Sequence, residues 1–160
     1  NRKNSEEEIS MVYYGGINKD CIEMAAGHVC SVYTNSELAY KLIMETACAE
    51  TALGTIEDGT IGAGMGLCQF DEMPFYDVRD RSGAQRTKVL TELGIDIELV
   101  EWEHLRYSPL LSMLFCRLKY RLIPETIPDT IEGRAEYWKK HYKNHVRNEK
   151  VWKKHNIKTD

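Results

Sequence analysis

Two acids and a glutamine, separated by a glycine-rich run, carry the chemistry this chain could perform. Glu50 lies in Glu50-Thr51-Ala52-Leu53-Gly54; Gln69 and Asp71 end the stretch Gly62-Ala63-Gly64-Met65-Gly66-Leu67-Cys68-Gln69-Phe70-Asp71. On a helix at ~100° per residue, Glu50 stands ~20° from Ile43 and Ala39, with Ala47 and Leu53 ~60° to either side. It therefore projects from an apolar face, whereas Glu45, ~140° away, is expected to face water. A carboxyl among apolar groups has its charged form disfavoured, and the negative end of the helix dipole pushes the same way. A raised carboxyl pKa is what a general acid needs at neutral pH. Gly64 and Gly66 remove side chains where a ligand could pass close to backbone, and they permit positive φ.

The order of these elements resembles the active-site strip of the lysozyme superfamily, in particular goose-type lysozymes and soluble lytic transglycosylases. There the pattern reads Glu-Ser-x-x-Gly or Glu-Ser, then Gly-x-Gly-Leu-Met-Gln. Here Thr51 stands for the Ser, Cys68 for the Met, Gln69 keeps its place, and Asp71 matches an Asp that goose-type enzymes often carry two residues after the Gln. The resemblance implies cleavage of the β-1,4 link between N-acetylmuramic acid and N-acetylglucosamine in peptidoglycan. Glu50 would be the general acid and Asp71 a base or orienter, with Gln69, Gly64, Met65 and Gly66 forming the cleft wall. No cofactor or metal is implied. An inverting hydrolase needs a second carboxylate to activate water; a lytic transglycosylase does not, because the sugar's own 6-hydroxyl attacks. Asp71 also stands where it would cap the helix that begins at Glu72. The goose-type aspartate that precedes the glycine run has no match, and the Ala-Tyr-Asn-x-Gly element of lytic transglycosylases is missing.

Farther along, Gly133-Arg134-Ala135-Glu136-Tyr137-Trp138-Lys139-Lys140-His141-Tyr142 resembles the Ala-Tyr-Trp-Lys-Lys-Tyr-Tyr-Asn stretch of lysozyme-like proteins in tailed phages. Flat rings stack on pyranose faces, and Tyr120 and Tyr142 are the candidates for that role. Tyr137 and Trp138 are adjacent and cannot share a helix face, so at least one belongs in the core. The likeness covers residues 35–71 well and 108–142 loosely. It implies a phage product made in the host cytoplasm without a signal peptide, either built into the virion beside other virion or tail proteins, or released to the periplasm and cell wall. The alternative is a virion or tail protein that keeps the fold without the activity.

The 160 residues suit a single domain, divided into N-terminal helices over 1–33, a catalytic strip over 35–71 and a helical part over 108–155. No run approaches the length of a membrane span. Five cysteines without metal or disulfide spacing read as reduced, buried thiols. Residues 134–158 hold nine basic and two acidic side chains, which leaves the remainder at −11 for a net charge of −4. That basic end is expected to be a solvated helix face before it is a binder of anionic polymers, and nucleic acid is not an expected partner. His141 and His145 at i, i+4 are expected to face solvent.

Strand signals are almost absent. Ser5-x-x-Glu8 reads as a capping box, and helices are expected from about Asn18 to Tyr33, from Asn35 or Ser36 to Leu53, over 71–81 and over 84–93. Ser108-Pro109 opens a helix that is apolar almost all round, normally the buried centre of a domain. A last helix is expected from about Ile131 to Tyr142, with a continuation toward His155. The glycine-rich run is expected to be a loop or a small β-hairpin. The fold class this gives is α+β, predominantly α; the resemblance implies a lysozyme-like fold with a central buried helix and a small hairpin or loop at the cleft.

Overall fold

The computed structural model describes residues 13–34, 36–57 and 64–142. The Ser5–Glu8 capping box, Asp58, Gly59, Gly62, His145, His155 and the basic residues from Lys143 onward lie outside the described residues. The chain is predominantly helical. Helix α1 spans Lys19–Cys30, α2 Ser36–Thr51, α3 Glu72–Arg81, α4 Arg86–Leu93, α5 Pro109–Arg121 and α6 Ile131–His141. Short 3-10 turns at Tyr13–Gly15, Gly83–Gln85, Ile97–Leu99 and Trp102–Arg106 link them. The expected hairpin is reduced, among the described residues, to one antiparallel bridge between Met65 and Phe70.

The boundaries follow from local chemistry. The Asn18 side chain accepts from the Cys21 amide at 3.0 Å and starts α1. The Ser108 hydroxyl accepts from Leu111 at 3.1 Å, with Pro109 in the first helical position of α5. Thr130 caps α6 through the Gly133 amide, and Gly94 ends α4 in the left-handed region at φ 70. Helix α2 stops at Thr51, two residues before the expected end. Ala52 and Leu53 are left-handed at φ 49 and 56, and Leu53 N–H reaches back to the Ala47 carbonyl. Helix α1 likewise ends at Cys30, short of Tyr33, with Ser31 as its C-cap.

Helix α5 is the centre. Ser112 to Leu118 and Tyr120 are all buried, and α1, α2, α3 and the Trp102–Arg106 turn pack around it. Phe75, Phe115, Ile22, Leu42, Leu67 and Met113 are among the largest side chains shut away from water. Cys30, Cys68 and Cys116 lie in this core as free thiols, Cys21 is half-buried and Cys48 is exposed on α2. Glu45 does not face water as expected. Its carboxylate takes a bidentate pair from Arg134 of α6, at 2.7 Å from Nε and 3.1 Å from Nη2. Arg134 is itself buried, so this part of the basic end is not a solvated face but a tie between α2 and α6.

The Gly66 loop sits hard on this centre. Gly66 has φ +78, and a Cβ there would lie 2.3 Å from the Leu105 carbonyl oxygen and 2.5 Å from Ser112 Oγ. Gly27, inside α1, has open space where its Cβ would be. Gly66→Ala should therefore lower the unfolding free energy by about 2 kcal/mol or more. Gly27→Ala should raise it by roughly 0.4–1 kcal/mol. Urea unfolding midpoints of the two variants should move in opposite directions, and a shift of the same sign in both would contradict this packing.

Candidate active site

Glu50 stands half-buried in the last turn of α2. The residue after it fixes where that turn ends. The Thr51 hydroxyl is directed to the carbonyls of Leu67, at 2.8 Å, and Ala47, at 3.1 Å, and accepts from the Gly54 amide at 3.0 Å. One β-branched side chain thus staples the end of α2 to the Leu67 turn, 16 residues away.

The turn from Gly64 to Phe70 is closed by its bridge: Met65 N–H donates to the Phe70 carbonyl at 2.7 Å, and Phe70 N–H donates back at 3.1 Å. Gln69 is left-handed at φ 50 and only 3% exposed. Its Nε2 donates to the Gly66 carbonyl at 2.9 Å and to the Tyr14 hydroxyl at 3.2 Å. Gln69 therefore faces inward and ties the turn to the Tyr13–Gly15 segment. The two glycines also serve the protein's own packing, because the space beside them is filled. A Cβ on Gly64 would lie 2.3 Å from the Gln69 carbonyl oxygen, and Gly66 abuts Leu105 and Ser112. Met65 remains half-buried at the edge of this turn.

Asp71 occupies the N-cap position of α3 at φ −75 and ψ 154, yet its side chain makes no hydrogen bond to the helix amides. Of the two roles expected for it, side-chain capping is not taken up. The carboxyl is largely buried, 9% exposed.

Tyr120 and Tyr142 do not stand exposed as sugar platforms, although Tyr120 reaches the cavity on the Arg117 face of α5. Both are buried and stack on each other at 5.3 Å between centroids. The Tyr120 hydroxyl and Thr46 Oγ1 are 2.8 Å apart, while the Tyr142 hydroxyl donates to the Cys68 carbonyl at 2.7 Å. With their rings packed in the core and their hydroxyls engaged, neither face is presented to a sugar. Tyr137 is likewise buried, donating to the Glu125 carbonyl at 2.7 Å. His141 is not solvent-facing: it packs edge-on against Tyr137 and lies 3.2 Å from Glu125 Oε2.

Lys119 is the residue the sequence reading passed over. Its ammonium lies 4.6 Å from the centre of the Tyr142 ring and 5.5 Å from that of Phe70. Burial lowers its pKa, and the Cys116 thiol and the carboxylates of Asp71, Glu50 and Asp77 oppose that shift, in that order. Glu50 and Asp71 thus both favour the charged form of Lys119, against its burial. Glu50 also contributes to the raised pKa values of Tyr142 and Tyr120, in both of which burial is the largest cause. A signal for Lys119 was available: a charged residue inside a helix that is apolar all round has nowhere to go but the interior. Cys68 is held protonated by its hydrogen bond with Cys116 and by burial, which suits packing and not nucleophilic attack. Among the described residues no three His, Cys, Asp or Glu side chains cluster closely enough to hold a metal ion.

Replacing Lys119 by Met keeps the aliphatic bulk and removes the shared cation. The carboxyl pKa values of Glu50 and Asp71 should both rise, with the larger rise at Asp71. Carboxyl-carbon NMR titrations of wild type and Lys119→Met check this; unmoved titrations would separate Lys119 from the two acids.

No family model matches the chain, and comparison with curated proteins and with solved structures finds no match either.

Proposed function

We propose that this chain cleaves the glycan strands of peptidoglycan between N-acetylmuramic acid and N-acetylglucosamine, with Glu50 as the general acid. The observation that carries this reading is that the carboxylates of Glu50 and Asp71 both act electrostatically on the partly buried Lys119. One ends α2, and the other opens α3 without bonding that helix's amides. Acid and base roles are divided where two carboxyls lie in different surroundings. Asp71 is the more strongly coupled to the Lys119 cation, which favours its ionised form as base or water-orienting group. The Glu50 carboxylate in turn contributes to the raised pKa values of Cys68, Tyr120 and Tyr142. Glu50 would donate its proton to the glycosidic oxygen as the bond to C1 breaks. Either water, deprotonated by Asp71, or the sugar's own 6-hydroxyl would then attack the oxocarbenium-like centre. Gln69 would act as a positioning residue that holds the Gly64–Phe70 turn, without touching substrate.

In this reading the protein serves a tailed phage, acting on the wall from the virion or after release at lysis. No helix among the described residues is long and apolar enough to cross a membrane. A second reading, a virion or tail protein with a lysozyme-like fold and no activity, is favoured by a specific observation. Tyr120, Tyr142, Gln69, Gly64 and Gly66, which the family likeness would assign to substrate, are all occupied by the protein's own packing.

Digestion of purified peptidoglycan by wild type, Glu50→Gln and Asp71→Asn, with the released muropeptides analysed by mass spectrometry, decides between the readings. Glu50→Gln should lower release at least about 100-fold, the size of a lost general acid. Reducing-end products that Asp71→Asn also abolishes would mean hydrolysis with Asp71 as base; anhydro products that survive Asp71→Asn would mean lytic transglycosylation. Silence from the wild type on several wall types would sink the enzymatic reading and leave the structural one.

A further inference from the structure

A second polar site lies on the face of α5 that carries Arg117 and Arg121, and it does not depend on the glycan-cleaving reading. A cavity of about 700 Å³ opens there, lined by Thr34, Glu37, Arg117, Tyr120, Arg121 and Glu125 among others. Arg117 sits at its buried floor, 6% exposed, and Arg121 at its exposed rim. Both guanidinium groups lie over the ring of Tyr33, at 5.5 Å for Arg117 and 4.0 Å for Arg121. The two are at i, i+4 on one helix face, a spacing at which like charges repel. The repulsion and the burial together lower the pKa of Arg117, burial being the larger cause.

Among the described residues no acidic side chain pairs with Arg117. Arg117 makes no ion pair or hydrogen bond among the described residues, and its Nε and the Tyr33 hydroxyl are both buried without a hydrogen-bond partner. The neighbouring groups that could neutralise it by losing a proton are held protonated: the Cys30 thiol is pushed up to about 11, chiefly by burial, and the Tyr33 phenol is raised for the same reason. The two acids that line the cavity are engaged with cations of their own, Glu37 with Lys41 at 3.4 Å and Glu125 with Lys140 and His141 at 3.2 Å. A buried cation without a counter-ion is among the costliest features a fold can retain, and the usual resolution is a partner that brings the opposite charge.

We propose that the Arg117–Arg121 cavity is a binding site for a phosphate group, free or carried on a small ligand. Two unneutralised guanidinium groups match a dianion better than a monoanion, and the guanidinium fork suits phosphate oxygens. The Thr34 hydroxyl supplies a further donor on the cavity wall. The ring of Tyr33 holds the two cations side by side before the ligand arrives, so little ordering is left to binding.

Thermal unfolding and isothermal titration with inorganic phosphate, with glycerol 3-phosphate and with acetate, each against sodium chloride at the same ionic strength, test this on the full chain. The wild-type midpoint should climb with the logarithm of phosphate concentration beyond the chloride control. Arg117→Met, which replaces an unpaired buried charge by apolar bulk, should unfold no earlier than wild type in chloride and should lose the phosphate response. Arg121→Met changes an exposed side chain and so keeps the fold; it should weaken phosphate binding about tenfold or more, the size of a lost charge-assisted contact. A tighter response to glycerol 3-phosphate than to phosphate would identify a phosphate carried on a small molecule, and the reverse order the free ion. A wild type that responds no more to phosphate than to chloride, an acetate response equal to that of phosphate, or a full phosphate response in Arg121→Met would each overturn the proposal.

Discussion

Helix α5 is packed by α1, α2, α3 and the Trp102–Arg106 turn, and each polar side chain it carries inward must be answered there, because a buried polar group without a partner costs more than its hydrogen bond returns. Ser112 is answered by the Leu105 carbonyl at 2.9 Å, and Tyr120 by Thr46. Lys119 is answered by two ring faces and by carboxylates from α2 and α3. Arg117 alone of these is met only by a ring. The rest of the molecule can be ordered by this demand. The Gly66 turn lies where it does because Ser112 and Leu105 leave room for backbone and for nothing larger. The end of α2 lies against that turn because Thr51 bonds it there.

The candidate site is a by-product of the same arrangement. Glu50 closes one helix and Asp71 precedes another, 21 positions apart in sequence, and the turn between them is clamped from several sides. Trp102 Nε1 donates to the Phe70 carbonyl at 2.7 Å, Tyr142 donates to the carbonyl of Cys68, and Tyr14 receives Gln69. The aromatics that a sugar-binding strip would display are spent on this clamping. That trade gives the two acids a rigid setting and leaves the turn little polar surface of its own.

What could be read from the residues beforehand was mostly local. The caps at Asn18, Ser108 and Gly94 obey rules that involve neighbours three or four positions apart, so the helices they bound were legible. The central burial of α5 followed from apolar residues on all its faces. The end of α2 was missed because Ala52 and Leu53 are ordinary helix formers held in the left-handed region by bonds from Thr51 and the Ala47 carbonyl. Glu45 and Arg134 were read as solvent-facing because a helical wheel knows nothing of the helix opposite, 89 residues away. At the site, the Glu50 position and the role of Asp71 as the first residue before a helix were legible. The shared cation was not, because Lys119 meets the two acids only through tertiary contact.

The distribution of thiols has a consequence for how this protein reports on itself. Cys48 is open to solvent, Cys21 half-covered, and Cys30, Cys68 and Cys116 enclosed in three different parts of one core. Reaction with a thiol reagent is then a staged clock. Cys48 registers the intact fold within the dead time, while each enclosed thiol waits for the opening of its own segment: the end of α1 for Cys30, the glycine turn for Cys68, the centre of α5 for Cys116. Cys116 also acts on the Cys68 thiol and helps to hold it protonated, so these two thiols report on neighbouring parts of the core. The order in which mass accumulates would trace the hierarchy of local openings in this molecule without any added label.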